Sequence, residues 1–179
     1  MHMKEETLLA LKASVQGYRL PRFDQIPDIG LYLEQLTKYI SEYTEPLGLG
    51  PMTGSMVSNY VKQAIIDRPV KKQYCRDQIA HLIFIALAKS VLSLDDLQKF
   101  ICLQQRTYAV STAYNFFCQE MDAGLHIVFD SQGDTIKVPP SSGDEKTILR
   151  NIVIAIAHKI YLEKYIAAVT RELDETENA

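Results

Sequence analysis

Apolar residues recur every three to four positions through most of this 179-residue chain, and prolines and glycines interrupt them in short clusters. Such spacing lays an apolar stripe along a helix and is incompatible with the in–out alternation of a half-buried strand. A mainly α-helical fold follows, with breaks where Pro21, Pro27, Pro46, Pro51 and Pro69 fall. The pattern predicts helices over residues 7–15, from 28 to the break at Pro46, over 53–66, 76–90, 93–103 and 107–123, and over 142–173. Residues 17–27 read as an extended arm carrying Arg19 and Arg22. Residues 70–74 suit a short strand or wing. The stretches 126–129 and 135–138, around Gln132, Gly133 and Asp134, suit either a hairpin or a long loop.

The chain is 47% hydrophobic and 23% charged, so it can build a core without disulfide or metal staples. No apolar run reaches the ~18 residues of a membrane span, and the N-terminus lacks a secretory pattern, so no membrane partner and a cytoplasmic location are expected. Cys75, Cys102 and Cys118 lack knuckle or redox spacing and read as free thiols. His2, His81, His126 and His158 are scattered, with no paired-ligand spacing. Neither a phosphate-binding glycine loop nor a nucleophile elbow occurs. The expectation is no metal, no cofactor and no enzymatic activity.

The net charge of −3 hides a strong asymmetry. Between Ser55 and Arg76, Lys62, Arg68, Lys71, Lys72 and Arg76 face a single acid, Asp67, whereas Glu172, Asp174, Glu175 and Glu177 crowd the C-terminus. Local charge sets local potential, so an acidic chain can carry a basic surface. Thr53, Gly54 and Ser55 form a helix start. Beyond it, Ser55, Ser58, Asn59 and Lys62 share one face at i, i+3, i+4 and i+7, while Val57, Tyr60, Val61 and Ile65 lie mainly opposite. Short polar side chains on an apolar-backed helix can approach base edges in a major groove. Asn59 can pair with adenine and Lys62 can reach guanine or phosphate. An ordinary solvated helix face would look the same. The adjacent Arg68, Lys71, Lys72 and Tyr74 could neutralise or hydrogen-bond phosphates.

The order Met56-Val57-Ser58-Asn59-Tyr60-Val61, Ile65-Ile66, Pro69, Tyr74-Cys75-Arg76-Asp77-Gln78-Ile79 and Leu92-Ser93-Leu94-Asp95-Asp96-Leu97 resembles the winged-helix half of the MerR superfamily. That resemblance implies backbone contacts from Tyr60, Lys71, Lys72 and Tyr74, and a recognition helix carrying Ser55, Ser58 and Asn59. The segment Tyr18-Arg19-Leu20-Pro21-Arg22-Phe23 through Ile29-Gly30-Leu31-Tyr32-Leu33 resembles a bacterial family, domain of unknown function 1836, over roughly residues 18–103. Its implied role is transcriptional regulation. The turn over residues 45–52 is longer than a MerR turn, and the single long dimerisation helix of MerR proteins is not expected.

The resulting expectation is a winged helix-turn-helix with a small β wing over residues 17–104 and an α-helical dimerisation or effector half over 105–179. The partners implied are double-stranded DNA, a second copy of the chain, and a small-molecule or protein effector. A protein-interaction module on the same scaffold is the competing reading. The DNA reading requires the Ser/Asn/Lys face and the lysine-bearing loop to lie at the surface.

Overall fold

A computed structural model describes residues 3–131 and 142–177. Seven helices and one two-stranded sheet make up the described fold: α1 (Glu5–Ala13), β1 (Leu31–Tyr32), α2 (Leu33–Thr44), α3 (Gly54–Lys62), β2 (Gln73–Tyr74), α4 (Arg76–Ala88), α5 (Leu94–Thr107), α6 (Val110–Asp130) and α7 (Asp144–Glu177). None of the described helices is long and apolar enough to cross a membrane.

Helix α4 organises the core. Ten of its residues are buried, Gln78 among them, because neighbours cover it on two sides, as its all-round apolar sequence requires. Phe84 of α4 packs edge-on against Phe117 of α6, with centroids 5.1 Å apart, and also meets Phe100 of α5 at 5.9 Å. The core is one cluster that runs from Leu11 to Tyr161 and crosses the boundary expected near residue 104.

Helices α6 and α7 lie side by side in the same direction. Glu120 pairs with Arg150 at 3.0 Å, and Phe129 meets Tyr161 further along at 5.2 Å. Gly124 sets their separation: a Cβ there would stand 2.8 Å from Val153 Cγ1. At the far end of α7 the buried Glu172 carboxylate accepts from the Lys4 backbone N–H at 3.2 Å and from the Thr7 hydroxyl. Lys4 provides no side-chain cap for α1, so α7 supplies the negative charge that the first turn of α1 favours.

Several elements depart from the sequence pattern. Helix α2 begins at Leu33, not at residue 28, because residues 31–32 are drawn into the sheet: Leu31 pairs with Tyr74 and Tyr32 with Gln73. Ile29, read as part of the apolar stripe, is 74% exposed. Helix α3 stops at Lys62, and Ala64 then takes a left-handed φ of 56°. Residues 126–129 are the last turn of α6 rather than a strand or loop, with Val128 and Phe129 packed into the core. The possible strand at 135–138 lies outside the described residues. The last helix, expected over 142–173, is α7 with 34 residues, and one side of it packs on α6 of its own chain.

The arm is not free. Pro21, Leu20 and Ile26 are buried. The Tyr18 hydroxyl donates to the Tyr43 carbonyl at 2.7 Å, the Phe23 N–H donates to Asn115 Oδ1 at 2.8 Å, and the Cys118 thiol donates to the Pro21 carbonyl at 3.5 Å. Residues 18–23 are thus wedged between α2 and α6.

Candidate nucleic-acid interface

Helix α3 is built as its sequence suggests. The Thr53 hydroxyl accepts from the Met56 N–H at 3.2 Å, capping the first turn. Val57 and Tyr60 are buried, and Ser55, Ser58, Asn59 and Lys62 are exposed. The Gln63 amide donates to Asn59 Oδ1 at 3.1 Å. Bidentate adenine pairing uses both the oxygen and the amide of an asparagine, so Gln63 stands in direct competition for half of that pairing. On the inner side Lys89, just past the end of α4, donates to Met56 Sδ at 3.4 Å, and burial lowers the pKa of this ammonium.

The basic loop is a hairpin. Val70 and Gln73 exchange two backbone hydrogen bonds, N–H to carbonyl, of 3.1 and 2.9 Å. Between them Lys71 (φ 49°) and Lys72 (φ 65°) both occupy the left-handed region. Positive φ at both central positions is the type I′ turn that normally takes Asn-Gly. Two exposed lysines hold it here, at a backbone cost of ~1 kcal/mol or more each. Strain of this kind is tolerated where surrounding contacts over-determine the loop, and those contacts are identifiable. Buried Gln78 accepts from the Cys75 N–H at 2.8 Å, capping α4, and its amide donates to the Asp67 carbonyl at 2.9 Å. One side chain ties the approach to the hairpin onto the core. Its signal in the sequence is only the capping position, three residues beyond Cys75.

The hairpin and α3 rest on adjacent residues of one segment. Tyr32 pairs with Gln73 of β2, and a Cβ on Gly54, the first residue of α3, would lie 3.2 Å from the side chain of Leu33. Arg68 is exposed on the loop between the two elements.

Three of the residues expected to contact DNA turn towards the interior of the chain. Tyr60 and Tyr74 are core residues, 4% and 5% exposed, and burial raises both phenol pKa values. Their rings fill the space behind α3 and β2, so they support the surface rather than form it. Arg22 turns inward and pairs with Asp122 of α6 at 2.7 Å, which helps hold it protonated. Arg19 stays exposed, 3.9 Å from the same carboxylate. Arg22 therefore belongs to the arm–α6 contact, and Arg19 lies at its exposed edge.

The sequence pattern missed an apolar element at the hairpin. Tyr32 and Val70 each stand directly opposite Gln73 and so share its face of the sheet. They are 52% and 74% exposed. Tyr32 carries no distinguishing signal in the sequence, since it fits the stripe of a longer α2.

Residues 21–117 match the family described as domain of unknown function 1836. That is more than half of the chain. It belongs to the DUF1836 family. The DUF1836 region runs from the wedged arm through α2, α3, the hairpin, α4 and α5 to Phe117 in α6. It therefore includes the aromatic contacts of α6 with α4. No curated protein and no solved structure gives a significant match to the chain. Among the described residues no group of three His, Cys, Asp or Glu side chains is placed to hold a metal.

Proposed function

We propose that this DUF1836 protein is a sequence-specific DNA-binding transcriptional regulator, acting as a dimer and most simply as a repressor. In this reading α3 is the recognition helix of a MerR-like winged helix-turn-helix and the 70–73 hairpin is its wing. The observation that carries it is an exposed Ser55/Ser58/Asn59/Lys62 face together with a strained, exposed Lys71-Lys72 tip, α3 resting on Leu33 and the hairpin on the adjacent Tyr32. Strain at a solvent-facing tip stabilises nothing in the chain itself, which favours a role in contacting something else. Lysines there would neutralise phosphates and release counterions, while Asn59 would read a base edge once Gln63 lets go. A gel shift with genomic fragments at low and moderate salt tests this. A specific band that weakens steeply with salt is expected; the absence of any specific band on all fragments removes the reading.

A protein-binding module on the same scaffold is the second reading. The exposed Tyr32 and Val70, which flank Gln73 on one face, favour it, because exposed apolar groups gathered on one face mark interaction surfaces. The two separate at Asn59. Asn59→Ala relaxes preference at one base position if α3 reads DNA, and leaves all DNA affinities alike if it does not.

A further inference from the structure

A groove of 490 Å³ opens behind the hairpin, between the 64–70 segment, the start of α4 and α5. Its volume lies in the range of small-molecule sites, roughly 300–1,000 Å³. Ile65, Ile66 and Ile101 line it and are buried, so its floor is apolar. Three exposed charged side chains line the same space: Asp67 and Arg68 from the segment, and Asp77 from the first turn of α4. Among the described residues none of the three enters an ion pair. The two carboxylates converge, since both act on the imidazole of His81, in the groove wall one turn beyond Asp77. Burial lowers the pKa of that imidazole, so at neutral pH it offers hydrogen bonds rather than a charge.

Two unpaired negative charges and one unpaired positive charge above an apolar floor select the ligand. A simple cation would be repelled by Arg68, and a simple anion by both carboxylates. A zwitterion answers both signs. A single amino acid would leave most of the volume to water. We infer that the groove is a binding site for a short apolar peptide, two or three residues long with free termini. Its ammonium lies with Asp67 and Asp77, its carboxylate on Arg68, and its side chains on the isoleucine floor. A guanidinium fork suits a carboxylate, which it can hold through two parallel hydrogen bonds. The groove wall is also the segment that joins α3 to the hairpin. Gln98 of α5 donates to the Ala64 carbonyl at 3.1 Å, and Gln78 of α4 donates to the Asp67 carbonyl at 2.9 Å. A peptide held by Asp67 and Arg68 and resting on Ile101 adds a further hold on that segment and fixes the hairpin relative to α3. Its role as the effector of a regulator rests on the proposed function; the binding itself does not.

Calorimetric titration of the full chain without DNA, with leucyl-leucine as the probe, tests the site. Saturable one-to-one binding is expected. N-acetyl-leucyl-leucinamide, which has the same side chains and neither charge, should give no saturable heat. Arg68→Gln and Asp77→Asn should each weaken the affinity about tenfold, because each removes one charge-assisted contact. Both side chains lie at the surface, so helical circular dichroism should be unchanged in the variants. Saturating leucyl-leucine should slow amide exchange at Val70 and Gln73 and leave exchange in α7 as it was. The absence of saturable heat with leucyl-leucine overturns the site, as does equal binding of the capped peptide or native affinity in both variants. Binding without slower exchange at the hairpin overturns its hold on that element. Neither readout involves DNA, so a failed gel shift would remove the regulator reading and leave this site standing.

Discussion

Lys71 and Lys72 set stability against contact at single residues. Both sit at positive φ, so Lys71→Asn with Lys72→Gly, the pair a type I′ turn favours, should stabilise the chain by about 1–2 kcal/mol in urea denaturation. The same change should flatten the salt dependence of DNA affinity by roughly two units of log–log slope. A rise in stability with no change in slope would leave the strain without a function. His81 behaves differently. It lies in the wall between a 490 Å³ groove behind the hairpin and a small hollow against Phe84 and Tyr114. Burial lowers its pKa, partly opposed by Asp77 and Asp67. The unfolded chain, titrating near about 6.5, then takes up the proton first as pH falls. The share of stability due to a neutral His81 is complete above that pH and is lost as pH drops towards the folded value. Urea midpoints at pH 7.5 and pH 5.5 should converge when His81→Gln is introduced; an unaltered gap assigns the loss elsewhere.

Gln78 and Gly124 act at the scale of elements, each deciding how two segments meet. Gln78→Leu removes the cap of α4 and the tie to the Asp67 carbonyl together. Leaving the Asp67 carbonyl without its partner should cost about 1–3 kcal/mol. Amide exchange at the Val70–Gln73 pair should speed up more than exchange in α6; uniform acceleration would mean the side chain has no special hold on the hairpin. Gly124→Ala would ordinarily favour a helix by up to ~1 kcal/mol, yet its Cβ meets the stiff, buried Val153 at 2.8 Å. A net loss of about 1–3 kcal/mol is expected. Adding Val153→Ala should recover part of it, so the double variant should be more stable than the sum of the single losses. Additive losses would show that the α6–α7 separation does not depend on this contact.

Across the whole molecule, sequence and structure divide the work along physical lines. Helical periodicity is local, so the existence and type of α2 to α7 could be read from spacing, and so could the caps at Thr53 and Ser93. Polar residues on an apolar-backed helix also stay where the period puts them, which is why the exposed face of α3 was legible. Three things were not. The start of α2 moved because Leu31 and Tyr32 gain more by pairing with β2 than by extending a helix, and a strand partner some 40 residues away leaves no trace in a local pattern. Arg22 of the arm is taken up by Asp122, a hundred residues further along the chain, while Arg19 stays exposed. Tyr60 and Tyr74 have a polar end and an apolar body, and only their neighbours decide which is used. The sequence by itself determined the helices, their punctuation and where the basic residues concentrate, because these depend on residues within a turn or two of one another. Tertiary structure alone decided which charges are spent inside the chain, and that the turn before β2 holds two lysines under strain, because each depends on segments brought together only by folding.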